Sequence, residues 1–173
     1  MTSRTRRKAL HLAGACAAAT FTLTACGSAD SPGSAGKDGT AQLTSIAGQK
    51  ITLPADGEPT AVFFFTSGCG ECVGGTQSLG AAAAAAEKSG TRANFLAVDM
   101  DPGESKDTIN AFMDYVHAEQ VPTVIDTGAT LTQRYHITAL STLIVIDADG
   151  KTTYRGTDPS AQTITAQLKK AGA

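Results

Sequence analysis

Two rhythms of hydrophobic and polar positions alternate along most of this chain. Short unbroken runs of bulky apolar residues occur in Thr60 to Thr66, Ala93 to Asp99, Val121 to Asp126 and Thr142 to Ile146. Runs of that length and bulk predict strands buried on both faces. Between them lie helical patterns. Val73 to Ser89 holds six consecutive alanines, Ala81 to Ala86, and stops at Gly90. Alanine favours helix most strongly, and glycine ends one without steric cost. Ser105 to Gln120 places Ile109, Phe112, Met113 and Val116 on one helical face. Ala129 to His136 reads as a short helix turning Leu131 and Tyr135 inward, and Pro159 to Ala171 as a closing helix. Gln42 to Leu53 predicts a hairpin or two short strands, and Asp147-Ala148-Asp149-Gly150 joins Thr142–Ile146 to Lys151–Arg155 as a second hairpin. Strands alternating with helices predict an α/β protein with a central β-sheet flanked by helices.

The first forty residues follow neither rhythm. Arg4, Arg6, Arg7 and Lys8 precede an apolar stretch from Ala9 to Ala25 that carries no formal charge. This is the pattern of an export signal, and the stretch is too rich in alanine and threonine to predict a stable membrane span. Thr5-Arg6-Arg7-Lys8-Ala9-Leu10 resembles a twin-arginine signal, the general Sec route being the other possibility. Leu23-Thr24-Ala25-Cys26 resembles the lipobox of bacterial lipoproteins, which implies that Cys26 becomes a lipidated N-terminus. The small polar residues from Gly27 to Thr40 have nothing to bury and read as a flexible tether. The expected organisation is a signal peptide over 1–25, a lipidated tether over 26–40 and one folded domain over 41–173. That places the domain at the extracytoplasmic face of a cytoplasmic membrane, held through Cys26. Its remaining Lys and Arg are scattered and form no basic stripe, which argues against a nucleic-acid partner.

The chemistry concentrates at one junction. Cys16 and Cys26 lie in the leader, so Cys69 and Cys72 are the thiols of the predicted domain. They sit where the apolar strand gives way to the alanine-rich helix. Unpaired N–H groups and the dipole at a helix start favour a thiolate, making Cys69 the nucleophile candidate, and Cys72, one turn on, the resolving thiol. The spacing alone admits a redox pair, half of a zinc site or an inert disulfide. No second cysteine pair accompanies it, and neither His117, read on a helix, nor His136, read in a turn, has metal spacing to it, so no metal or cofactor is expected. Thr66 also stands three residues before Cys69, as in the T-x-x-C of peroxiredoxins, although Val62 occupies the place of their upstream proline.

Cys69-Gly70-Glu71-Cys72 after F-F-F-T-S-G, together with the later string Y-H-I-T-A-L-S-T-L-I-V-I-D-A-D-G-K, resembles the thioredoxin superfamily. Among its branches the chain is similar to the membrane-anchored extracytoplasmic thiol-disulfide oxidoreductases of the TlpA and ResA kind, over about Gln42 to Ala171. The resemblance implies a thioredoxin-like sheet with an N-terminal hairpin and a strand and helix inserted between about Asp101 and Tyr135. It also implies attack by Cys69 on a protein disulfide, resolution by Cys72, and a membrane redox partner that recycles the pair. Four departures stand at the site. Gly68 replaces a common tryptophan, removing a packing surface, and Glu71 replaces a common proline, setting a negative charge beside the thiolate. Gly74, Gly75, Thr76 and Gln77 stand where relatives carry an acid and a proline, so no carboxylate is evident for proton transfer. The cis-proline facing the disulfide aligns with Ser141, for which a trans bond is expected, in preference to a rival alignment on Val121-Pro122-Thr123. These departures keep a redox-inactive or metal- or substrate-binding relative, and a peroxidase, as alternatives to exchange.

Overall fold

The structure is a computed structural model that describes residues 34–35 and 39–173. The predicted signal peptide and Cys26 lie outside the described residues. The tether does so in large part, although a two-residue strand, β1 (Ser34–Ala35), falls within its range.

β1 pairs antiparallel with β2 (Ala41–Thr44), which pairs with β3 (Lys50–Leu53) in a three-stranded sheet. The hairpin expected from Gln42 to Leu53 is present, with Leu43 opposite Ile51. The five-stranded sheet is built from β4 (Thr60–Phe65), β5 (Asn94–Asp99), β6 (Thr123–Ile125), β7 (Thr142–Ile146) and β8 (Thr152–Thr157), ordered β6-β5-β4-β7-β8. β4, β5 and β6 run parallel, and β7 and β8 are antiparallel to their neighbours. Every residue of β4 and of β7 is buried, as their unbroken apolar runs require.

Four helices complete the described chain: α1 (Cys72–Ser89), α2 (Lys106–Tyr115), α3 (Thr130–Arg134) and α4 (Ala161–Lys170). Alternation along the strands divides the core into two layers. On one face, Phe63 and Phe65 of β4 and Ala97 of β5 pack with Cys72 and Leu79 of α1, Ile109 and Phe112 of α2, and Ile164 of α4. On the other, Val62, Phe64 and Val98 pack with Leu43 and Leu53 of the hairpin and with Leu131 and Tyr135. This mixed sheet with helices on it is the thioredoxin-like α/β architecture.

α2 ends five residues before the predicted limit of Gln120. Its start is fixed by Ser105, whose hydroxyl accepts from the Thr108 amide at 3.1 Å. Its end comes because His117 turns left-handed at φ 54° and the Ala118 amide bonds back to Met113 at 2.9 Å. A Cβ on Gly80 would lie 2.8 Å from the His117 carbonyl, so α1 packs its bare backbone against this turn. Val116, Ala118 and Val121 stay buried although the helix has stopped, which is why apolar spacing overran its end. His117 accordingly sits exposed in the turn past α2, not on the helix.

Candidate active site

β4 is the buried strand that delivers the chain to the site. Beyond Phe65 the chain turns through Thr66, Ser67 and Gly68, and the Cys69 amide donates to the Thr66 carbonyl at 3.2 Å. Cys69 and Cys72 are joined as a disulfide with their Cα atoms 5.3 Å apart. Cys72 is the first residue of α1 and fully buried, while Cys69 lies ahead of the helix and partly exposed. The Cys72 amide donates to the Cys69 carbonyl at 3.0 Å and approaches its sulfur at 3.2 Å. An N–H aimed at sulfur stabilises negative charge there once the bond opens. The first turn of α1 holds no acidic side chain, and Glu71 points no carboxylate at the helix amides. The pair is therefore asymmetric: one reachable sulfur facing an amide, and one sulfur enclosed by the core.

The expected neighbours occupy distinct places. Gly68 and Gly70 are exposed, and a Cβ on either would meet nothing, so the surface beside Cys69 is open. Gly74 is likewise open. Gly75 is not, since a Cβ there would overlap the Phe63 ring and lie 3.0 Å from the Ser141 hydroxyl. A helix carrying Cys72 can lie this close to β4 only through a glycine. Thr76, one turn on and fully buried, donates its hydroxyl to the Cys72 carbonyl at 2.8 Å.

Ser141, directly before β7, lies against this turn, whereas Pro122 lies at the entry to β6, separated from β4 by β5. Leu53–Pro54 is the one cis peptide among the described residues, so the bond preceding Ser141 is trans. Ser141 instead takes a left-handed conformation, φ 57°, and is buried. Its hydroxyl donates to Asp158 Oδ1 at 2.6 Å and lies 3.5 Å from the Glu71 carbonyl. Asp158, Pro159 and Ser160 line a cavity of about 480 Å³ with Glu71, Gly74, Gly75 and Ser78, beside the first turn of α1. Sequence reasoning missed Asp158, for which the Asp158-Pro159 step ahead of the closing helix was the available signal.

As expected, no carboxylate stands in the first turn of α1; two lie on β5 and the loop after it. Asp99, the last residue of β5, is fully buried and pairs in register with Phe65. Burial pushes its carboxyl up to about 7, with the charges of Glu104 and Asp101 adding to the effect and a hydrogen bond from the Asp101 amide opposing it. Glu104 accepts from both the Ser67 amide, at 3.1 Å, and the Ser67 hydroxyl, at 2.6 Å. In sequence Asp99 looks like an ordinary strand end.

Among the described residues, no three His, Cys, Asp or Glu side chains converge to hold a metal ion.

Comparison with known proteins places this geometry. The family model described as Redoxin matches residues 31–172. A protein of Streptomyces lividans described as "Mercury resistance operon ORF3" is 59% identical over 123 residues, covering 71% of this chain. The chain spans 65% of that relative's length. The solved structure of StoA from Bacillus subtilis superposes with a TM-score of 0.66 at 20% identity, covering 75% of this chain and 96% of that one. The pneumococcal exposed lipoprotein thioredoxin Etrx1, from Streptococcus pneumoniae, superposes at 0.61 with 18% identity, covering 76% of this chain and 98% of that one. At these identities the superpositions establish the fold.

Proposed function

We propose that this chain, which belongs to the Redoxin family, is a thioredoxin-like oxidoreductase that exchanges disulfides with the thiols of exported proteins through Cys69 and Cys72. The observation that carries this reading is the asymmetry of the pair. In the reducing direction the Cys69 thiolate attacks one sulfur of a substrate disulfide, and the other leaves as a thiol after taking a proton. The Cys72 thiolate then attacks Cys69, forming the intramolecular disulfide and releasing the second substrate thiol. Two electrons pass from the pair to the substrate. The reverse sequence oxidises a substrate dithiol.

In the same proposal the domain is a lipoprotein of the TlpA and ResA kind, held by lipid on Cys26 at the extracytoplasmic face and recycled by a membrane redox partner. The leader pattern supports it, as does the similarity to a structure described as an exposed lipoprotein thioredoxin. Among the described residues no helix is long and apolar enough to cross a membrane. Insulin reduction by the wild type, lost in C69S, tests the exchange; fractionation of C26A into the soluble phase tests the anchor.

A second reading is favoured by one finding, the 59% identity to a protein named for a mercury resistance operon. In that reading the reduced pair takes up a mercuric ion, a soft cation suited to thiolates. Stoichiometric mercury uptake by the reduced protein together with no insulin reduction supports it over exchange.

A further inference from the structure

A helix lying on a sheet normally turns charged residues to solvent. Neither α1 nor α4 does so before its last turn: Cys72 to Ala86 and Ala161 to Leu168 hold no Asp, Glu, Lys or Arg. Gln77, Ala81, Ala84 and Ala85 of α1 are nonetheless exposed, as are Gln162 and Ala166 of α4. The two helices pack side by side, both starting at the disulfide end, and leave a furrow between them. Its middle is a cavity of about 390 Å³, where Ala82 and Ala85 face Ala161, Thr165 and Ala166. Charge appears at the two ends. The cavity beside the cysteine turn carries Glu71 and Asp158. The far end carries Lys169, with Lys88 in the last turn of α1. Glu87 lies nearly opposite Ser78 and Ala85 round the helix, away from the furrow. Among the described residues the one ion pair joins Arg92 to Glu58, so none of the four charges along the furrow has an ionic partner.

From this arrangement we propose that the furrow is where two copies of the chain pair, antiparallel about a two-fold axis. A surface acidic at one end, uncharged in the middle and basic at the other is complementary to itself when turned end for end, and to no partner of uniform charge. Loss of charge from the centre of a patch is a mark of protein interfaces. Small side chains there let helices approach to the near end of the usual spacing, about 8 Å between axes. In the pair, Lys169 of each copy meets Glu71 and Asp158 of the other. Within one chain that contact cannot form, because Lys169 stands about 12 Å along α4 from its first residue. The second copy thereby adds a cation to the site. Glu71 lies between Cys69 and Cys72, where its charge disfavours a thiolate, and Lys169 of the second copy offsets it.

Pairing is read without any substrate. The full chain in mild detergent is followed by sedimentation velocity, and a zero-length carbodiimide followed by mass spectrometry identifies which carboxylate meets which lysine. The expected result is a dimer that dissociates on dilution and with added salt, and a Glu71–Lys169 or Asp158–Lys169 cross-link confined to the dimer. K169E weakens association roughly tenfold or more, since attraction becomes repulsion at both symmetric contacts. E71K weakens it less, because Asp158 remains. An equal mixture of K169E and E71K associates more tightly than either alone, the reversed charges then facing each other, as an antiparallel pair requires. A chain monomeric at every concentration overturns the proposal, as does a dimer that K169E leaves unchanged or a mixture no tighter than its components. Cross-linking of Lys169 in cell membranes to a foreign protein, with none to a second copy, assigns the face to that protein and overturns it too. C69S is expected to pair as the wild type does. Pairing without insulin reduction by the wild type therefore sinks the exchange reading alone, and insulin reduction by a strict monomer sinks the pairing alone.

Discussion

The Ser141 hydroxyl donates to the Asp158 carboxylate at 2.6 Å, and the Asp158 amide donates back to the Ser141 carbonyl at 3.1 Å. Both residues are left-handed, at φ 57° and 47°. This reciprocal lock joins the segment before β7 to the segment before α4, beside the Cys69–Cys72 turn. It stands where the resemblance to thioredoxins places a cis-proline.

Breaking the lock is expected to loosen that wall of the site. Ser141→Ala removes the donor to the Asp158 carboxylate and is expected to lower the unfolding free energy measured in urea by about 1–3 kcal/mol. Ser141→Pro is expected to destabilise further, since proline fixes φ near −65° and the backbone here is at +57°. A Ser141→Pro midpoint equal to or above wild type would show that the segment rearranges freely.

Adjacent glycines in α1 are expected to respond with opposite signs. Gly74→Ala meets open space and gains helix propensity, raising stability by about 0.5–1 kcal/mol. Gly75→Ala drives a methyl into Phe63 and the Ser141 hydroxyl, lowering stability by about 1–3 kcal/mol. Thermal unfolding of the two variants side by side checks both.

Asp99 sets a pH dependence whose sign follows from its environment. The folded protein holds the proton to about 7, while the unfolded chain releases it near its ordinary value of 3.8. Its contribution to stability is therefore complete below the unfolded value, declines as pH rises through that window, and is gone above about pH 7. D99N is expected to flatten this decline in unfolding free energy measured from pH 4 to pH 8. A wild-type slope retained in D99N assigns the effect to other groups.

Chemistry at the pair is expected to divide between its two thiols. C72S leaves a reachable nucleophile with nothing to resolve it and accumulates mixed disulfides with a disulfide-bearing substrate. C69S leaves a buried thiol and accumulates none. Non-reducing gels after incubation with oxidised insulin distinguish them. Equal trapping by both variants contradicts the assigned roles.

How much of this was legible in the sequence depends on whether burial or long-range geometry made the feature. β4 and β7 announce themselves because every residue is buried, leaving an unbroken apolar run. The strand-to-helix position of Cys69 and Cys72 follows from composition on either side. The end of α2 was not legible, since Val116, Ala118 and Val121 remain buried after the helix stops and keep the apolar signal running. Gly75 and Gly74 look alike in sequence and differ because Phe63 lies over one of them. Asp99 and Glu104 were missed for a similar reason. Their link to the site crosses from β5 to the loop after β4, a parallel pairing that no local pattern encodes.

The most direct test of the account is equilibration of the protein in glutathione or dithiothreitol buffers, counting Cys69 and Cys72 thiols as the buffer potential is stepped. The account predicts one reversible two-electron transition shared by both thiols, with a midpoint inside the span of about −270 mV for thioredoxin to −120 mV for DsbA. A pair that does not cycle, or whose thiols open without regaining the disulfide, contradicts the assignment of Cys69 and Cys72 as a working exchanger.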